Sequence, residues 1–227
     1  MMTEEVLERR LVAAVPGRYL VRVPSGAPPW SLLIGFHGYA EAAETFLSRI
    51  SQASVPDSWL LCSVQALHPF YRRSTGEVVA SWMTSLDRKR ALRSNVYYIR
   101  KVLRRLEAEF SLSETLVFAG FSQGAAMAFR AAVSTTRGSS AVIALGGDIP
   151  PELNSGRLRK AGRVLIGRGR RDNWYTEEKL ERDASRLEAA GVDFQICKFD
   201  GGHEWGGSFL DRVGSFLVEI QPGERSD

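Results

Sequence analysis

Gly120-Phe121-Ser122-Gln123-Gly124 lies between an apolar run, Leu116-Val117-Phe118-Ala119, and a run of small helix formers, Ala125-Ala126-Met127-Ala128. Strand, then Gly-x-Ser-x-Gly, then helix predicts a sharp turn with a serine at its apex. The spacing has a steric reason. A tight, strained turn folds the chain against itself two residues to either side of the serine, so side chains must be absent there. The turn lifts the hydroxyl clear of the sheet. The helix behind it aims backbone N–H groups and a partial positive charge at the same place. Gly-x-Ser-x-Gly alone also occurs in ordinary loops, so the rest of the chain must supply a base, an acid and an oxyanion pocket in the right order.

In the fold that uses this turn the order is Ser, then Asp or Glu, then His. The chain has three histidines, His37, His68 and His203, and only His203 follows Ser122. It sits in Phe199-Asp200-Gly201-Gly202-His203-Glu204-Trp205, a glycine loop between a strand (Phe194–Phe199) and a helix. A late loop of this kind lets an imidazole reach across to a serine. For the acid, Asp172 follows the apolar strand Arg163-Val164-Leu165-Ile166-Gly167, and Asp148 is its rival one strand earlier. Asp200 and Glu204 are too near His203 in sequence to reach Nδ1. A carboxylate at a strand end can accept Nδ1–H, fix the tautomer and stabilise the imidazolium, so Asp172 is preferred. Arg168, Arg170 and Arg171 are expected either to keep Asp172 ionised or to form a solvated basic loop. An oxyanion hole needs two backbone N–H groups. Gln123, next to the serine, is expected to give one. Tyr39, after the strand Trp30–Phe36 and His37-Gly38, is expected to give the other. His37 then anchors its loop.

His37-Gly38, the Ser122 turn, the Asp172 loop and Gly202-His203 together resemble the phospholipase/carboxylesterase family, which includes acyl-protein thioesterases and small bacterial carboxylesterases. Gln65-Ala66-Leu67-His68-Pro69 is similar to that family's Pro-rich loop. Ser81-Trp82, with Asp87-Arg88 after it, is similar to its Ser-Trp segment before a long helix. The likeness runs from about Leu20 to Ile220. The chain departs from the pattern in having Tyr39-Ala40-Glu41 where the usual Gly-Asp stands, in its arginine-rich acid loop and in Trp205 close behind His203. The resemblance implies an α/β-hydrolase fold and a serine hydrolase for carboxylic esters of short to medium chain, with thioesters and lysophospholipids in range. An acyltransferase or peptidase with the same three residues, or an idle binding protein on the same fold, are the alternatives. The same likeness puts one pocket wall at Phe70, Tyr71, Trp82 and Met83, with Asp148 opposite.

The composition fits a compact enzyme. The chain has 227 residues, 44% of them apolar, enough for one α/β domain with tails at 1–12 and 222–227. Thirty basic and 26 acidic residues give a formal charge of +4, and the basic residues scatter among acids. That argues against a nucleic-acid partner. The densest basic stretch, Arg88-Lys89-Arg90 to Arg104-Arg105, reads as the solvated face of a helix. Arg157-Leu158-Arg159-Lys160 and Arg168–Arg171 are candidates for attracting an anionic substrate. Cys62 and Cys197 fall inside strands and read as free, buried thiols. No Cys/His spacing suggests a metal, and no cofactor is implied. The acidic start, Met1–Glu5, lacks a signal-peptide core, and no apolar run reaches membrane-span length. The expectation is a cytoplasmic monomer or homodimer, without stable membrane association, acting on a small-molecule ester.

Strand and helix patterns alternate along the chain. Strands are expected at Tyr19–Val23, Trp30–Phe36, Trp59–Val64, before Ser122, at Ala141–Leu145, Val164–Ile166 and Phe194–Phe199. Helices are expected near Ala43–Ser51, through Leu92, Val96, Ile99, Leu103, Leu106 and Phe110, after Ser122, from an N-cap at Thr176 to Gly191, and through Phe209–Ile220. Leu180, Ala184 and Leu187 are expected to form the inner face of the Thr176 helix. Such alternation predicts a mostly parallel sheet with helices on both faces. No stretch is long enough for a lid domain, so short esters are expected in preference to triglyceride.

Overall fold

The computed structural model describes residues 6–220. The tail expected at 222–227 and the acidic start Met1–Glu5 lie outside it, and residues 6–18 form no helix or strand. The elements in chain order are β1 (Tyr19–Arg22), β2 (Trp30–Phe36), α1 (Ala43–Ser51), β3 (Trp59–Val64), β4 (His68–Tyr71) and β5 (Val78–Ser81). Then come α2 (Arg88–Glu109), β6 (Leu112–Phe121), α3 (Gln123–Ala132), β7 (Ala141–Leu145), α4 (Ser155–Leu158), β8 (Arg163–Gly169), α5 (Glu177–Ala189), β9 (Phe194–Phe199) and α6 (Ser208–Ile220).

Seven strands form one sheet in the order β1-β3-β2-β6-β7-β8-β9. Only β1 runs antiparallel to its neighbour; the other pairs are parallel. Alternation along the strands divides the core. Leu32, Ile34, Phe36, Phe118, Val142 and Ile166 face α2, α3 and α5. Leu33, Val117, Ala119, Ile143 and Leu165 face α1 and α6. Both faces are covered, which is why the central strands read as unbroken apolar runs.

From β2 the chain moves outward to β3, then returns and crosses to the other side at β6. The direction of winding therefore reverses between β2 and β6, and the crevice beyond their C-terminal ends is where such sheets bind ligands. Phe36 lies beside Gly120 across that pair. The loop after β2 and the turn after β6 are neighbours for this reason.

Four expectations change. The segment around His68 is a hairpin, with His68 opposite Ser81 and Tyr71 opposite Val78. It is short, carries a proline and is largely exposed along β4, so periodicity gave no sign of it. In α5 the inner residues are Leu180, Asp183 and Leu187; Ala184 is only half-buried. Thr176 holds the N-cap position, but its side chain does not cap the backbone. The two cysteines are free, Cys62 buried in β3 and Cys197 only half-buried in β9. Among the described residues no helix is long and apolar enough to cross a membrane.

Candidate active site

Ser122 caps α3 with φ 53 and ψ −116, a conformation that L-residues rarely adopt. Its N–H donates to the Leu145 carbonyl at 2.8 Å, which ties the turn to β7. The flanking glycines are dictated by contact. A Cβ on Gly120 would lie 2.1 Å from the Gly124 carbonyl oxygen, and one on Gly124 would lie 2.1 Å from that of Phe36. Strand, turn and helix are compressed together, and the serine hydroxyl is what projects.

His203 faces it. Nε2 lies 2.9 Å from Ser122 Oγ, and Nδ1 lies 2.8 Å from Asp172 Oδ2. An ionised carboxylate only accepts, so Nδ1 carries the proton and Nε2 is free to accept from the serine. The Asp172 side chain is almost wholly buried. Its other oxygen accepts the N–H groups of Trp174 at 2.8 Å and Tyr175 at 3.0 Å. This corrects the expected role of the neighbouring arginines. Arg168 is buried in β8 and donates to the main-chain carbonyls of Tyr175 and Asp172 and to Glu177. Arg171 pairs with Asp200. Backbone amides hold the carboxylate, not guanidinium groups.

The loops bearing Asp172 and His203 are held together beyond the ends of β8 and β9. Arg170 N–H donates to Phe199 and Arg171 N–H to Gly201. At Gly169 a Cβ would come within 2.2 Å of the Gly202 carbonyl oxygen. The imidazole packs on Phe121, with ring centroids 4.9 Å apart. The rival acid, Asp148, pairs with Arg182 and Lys179, while Asp172 holds His203 Nδ1.

Gln123 is the first residue of α3, so its N–H has no partner within the helix. Its side chain has a second role that the sequence did not announce. Oε1 accepts the Trp82 N–H at 2.8 Å and Nε2 donates to the Met83 carbonyl at 3.1 Å, which pins the chain after β5 to the serine turn. On the other side, His37 Nε2 accepts the Ala66 N–H at 3.1 Å. Nδ1 must then carry the proton that reaches the Gly38 carbonyl at 2.7 Å. Burial lowers the His37 pKa, in keeping with a neutral ring. Glu41 accepts the Gly38 N–H at 2.7 Å and pairs with Arg49. The Ala40 N–H reaches the Ala80 carbonyl of β5. Tyr39 lies between these fixed points, and no acceptor takes its N–H among the described residues.

An open cavity of about 490 Å³ covers Ser122 and His203. Met83 and Asp148 line it; Phe70, Tyr71 and Trp82 do not. Phe70 packs on Tyr39, and Tyr71 is exposed. Trp82 is fully buried, donating Nε1–H to the His37 carbonyl. Trp174, Lys179, Ala126, Arg88 and Arg130 also line it. Arg130 is the sole charged residue in α3 and stands two turns from Ser122 on the same face. That isolation in an alanine-rich helix was the available signal.

A serine on a strained strand-to-helix turn, at the winding reversal of a mostly parallel sheet, defines an α/β-hydrolase. The sequence matches the phospholipase/carboxylesterase family over residues 23–217. The chain belongs to that family and is a carboxylesterase/phospholipase-type serine hydrolase. Solved structures of the same fold include esterase PE8 (24% identity, covering 90% of this chain and 98% of that one, TM-score 0.67). Others are Zea mays acyl-protein thioesterase 2 (18% identity, 90% and 99%, TM-score 0.69) and the Bacillus cereus carboxylesterase (15% identity, 90% and 94%, TM-score 0.68). No curated protein matches the chain significantly in sequence.

Proposed function

We propose that this protein hydrolyses small carboxylic esters of short to medium acyl chain, and related thioesters, through an acyl-enzyme on Ser122. The observation that carries the reading is the relay of two hydrogen bonds, Ser122 to His203 at 2.9 Å and His203 to Asp172 at 2.8 Å. His203 Nε2 takes the hydroxyl proton as Oγ attacks the ester carbonyl. Asp172 holds the ring in the tautomer that leaves Nε2 free and stabilises the imidazolium. The amides of Gln123 and Tyr39 receive the tetrahedral oxyanion. His203 then protonates the leaving alcohol or thiol, the acyl group stays on Oγ, and a water activated by His203 releases the acid. The cavity volume of about 490 Å³ over Ser122 and His203 suits a small-molecule substrate.

A fluorophosphonate should label Ser122 and nothing else, and Ser122→Ala should abolish labelling. A panel of 4-nitrophenyl acetate, butyrate and palmitate, with an acyl-CoA and an aminoacyl amide, should show turnover fastest on the shorter esters. Ser122→Ala should lower kcat on the order of 10⁶-fold, as removal of the nucleophile does in enzymes of this chemistry. No labelling and no ester turnover would overturn the reading in favour of an idle binding protein. Faster acyl transfer or amide cleavage would reassign it to a transferase or peptidase.

A further inference from the structure

The cavity over Ser122 does not end at Arg130. A second groove of about 650 Å³ adjoins it, and Arg88, Arg130 and Pro151 line both. Ser122, Ala126, Arg130 and Ser134 recur every fourth residue, so one side of α3 and its continuation runs from the nucleophile into the groove. The floor is apolar, made by Leu92, Val96 and Leu153. The rim is basic: Arg88, Lys89, Arg93, Arg100 and Arg157. None of these five side chains makes an ion pair or side-chain hydrogen bond among the described residues. The groove's single carboxylate, Glu152, is taken by Arg130 Nε at 2.8 Å.

Two features mark this as a place built for an anion. Arg130 is 5% exposed, and Nε–H is the only donor it uses; Nη1 is sealed from solvent without a partner, which leaves Nη2, also unpartnered among the described residues, as the donor for a ligand in the groove. A buried guanidinium with idle donors is costly unless an acceptor arrives. Burial also lowers its pKa against the pull of Glu152. Separately, the first turn of α2 carries Arg88, Lys89 and Arg90 and no acid. The positive end of a helix dipole favours anions, so three cations there oppose one another and the helix.

We propose that the groove is a substrate subsite, and that the preferred ester carries a second, anionic oxygen group (a carboxylate or phosphate) on a short apolar stem, bound by Arg130 and Arg88. The inference rests on the esterase reading above and names its substrate class. Ser122 and Arg130 are separated by about 12 Å along the helix axis, less the reach of an arginine whose Cβ leans toward the helix N-terminus. A stem of roughly four to eight carbons spans what is left. On the opposite wall Asp148 is already paired with Arg182 and Lys179, so it does not compete for Arg130.

The test compares kcat/KM on 4-nitrophenyl hydrogen adipate, its neutral methyl ester and 4-nitrophenyl hexanoate. A phosphate arm uses 4-nitrophenyl 6-(phosphonooxy)hexanoate. The butyrate esters of 6-hydroxyhexanoate and hexanol place the charge on the alcohol side instead. At low salt the anionic member of at least one pair should be preferred tenfold or more, and the preference should shrink as salt rises. It should fall to within about threefold in Arg130→Gln and decline in Arg88→Ala, whose site is exposed and whose fold is not at risk. The stronger of the carboxylate and phosphate arms names the anion. Equal rates on charged and neutral esters on both sides of the scissile bond, or a preference that both variants retain, would overturn the proposal. If the wild type cleaves no ester at all, the hydrolase reading fails instead. Calorimetric titration of Ser122→Ala with adipate and with hexyl phosphate then decides the subsite alone. Binding lost on adding Arg88→Ala supports it, and absence of binding sinks it.

Discussion

Asp172 and Asp183 are both buried carboxylates, both joined to Tyr175, and they do different work. Tyr175 gives its backbone N–H to Asp172 at 3.0 Å and its hydroxyl to Asp183 at 3.1 Å. Asp172 stands at the end of β8 with one oxygen on two backbone amides and the other on His203. Asp183 lies within α5, where it accepts the Ile149 N–H at 2.8 Å and has Arg186 beside it. Arg186 in turn donates to the carbonyls of Ile149, Pro150 and Leu153. Burial raises the Asp183 pKa, and the Ile149 amide and the Tyr175 hydroxyl oppose that rise. One carboxylate faces the histidine that meets Ser122; the other knits the loop after β7 to a helix. Burial and hydrogen bonding alone do not tell the two apart. What each faces does.

The comparison breaks most visibly at Asp172. Asp172→Asn keeps the shape but favours the wrong imidazole tautomer, and kcat should fall about 10⁴-fold. Its urea midpoint should move little, because the Asn oxygen still accepts the Trp174 and Tyr175 amides. A stability loss as large as the rate loss would mean that the residue is structural after all. Asp183→Leu should show the reverse. It leaves the Ile149 N–H and the Tyr175 hydroxyl without their acceptor and takes away the carboxylate beside Arg186, and unfolding stability should drop by about 3 kcal/mol. The kcat of the folded fraction should stay within tenfold of the wild type, measured on a short ester.

Tyr175→Phe sharpens the contrast, since it removes the link to Asp183 and leaves the amide on Asp172. A loss of about 1–2 kcal/mol in chemical denaturation with kcat unchanged is expected. A fall in kcat instead would show that the two carboxylates are coupled.

The smallest expected effect lies across the sheet, at His37, where burial lowers the pKa. A histidine held neutral in the folded state stabilises it fully above the unfolded pKa of about 6.5. That contribution is lost as pH falls from there toward the lower folded pKa, because the unfolded chain takes up a proton that the folded one refuses. Thermal stability should therefore decline between pH 7 and 5 more steeply in the wild type than in His37→Gln. Parallel pH profiles of the two would remove the neutral imidazole from the account of this loop.

The parts of the site that were legible in the sequence are those fixed by close backbone approach or by chain order. Gly120 and Gly124 are glycine because the turn leaves no space for a Cβ. Ser122, Asp172 and His203 follow the order that the winding of the sheet imposes. Most strand limits were legible too, since strands buried on both faces must be apolar throughout. The pocket wall was not. Trp82 went to the core, and Phe70 and Tyr71 to a hairpin of two short strands that stand apart from the main sheet. Asp183 reads locally as one more charge on a polar helix, because its partners come from the β7 loop and from Tyr175. Arg130 reads as one charge in an alanine-rich helix until the fold closes Glu152 and Pro151 over it. The sequence by itself determined where Ser122 stands and in what order Asp172 and His203 follow it, because local sterics and strand connection decide those. Tertiary structure alone decided which charges are buried, what each one meets and where the cleft continues, because burial depends on segments distant in the chain packing against one another.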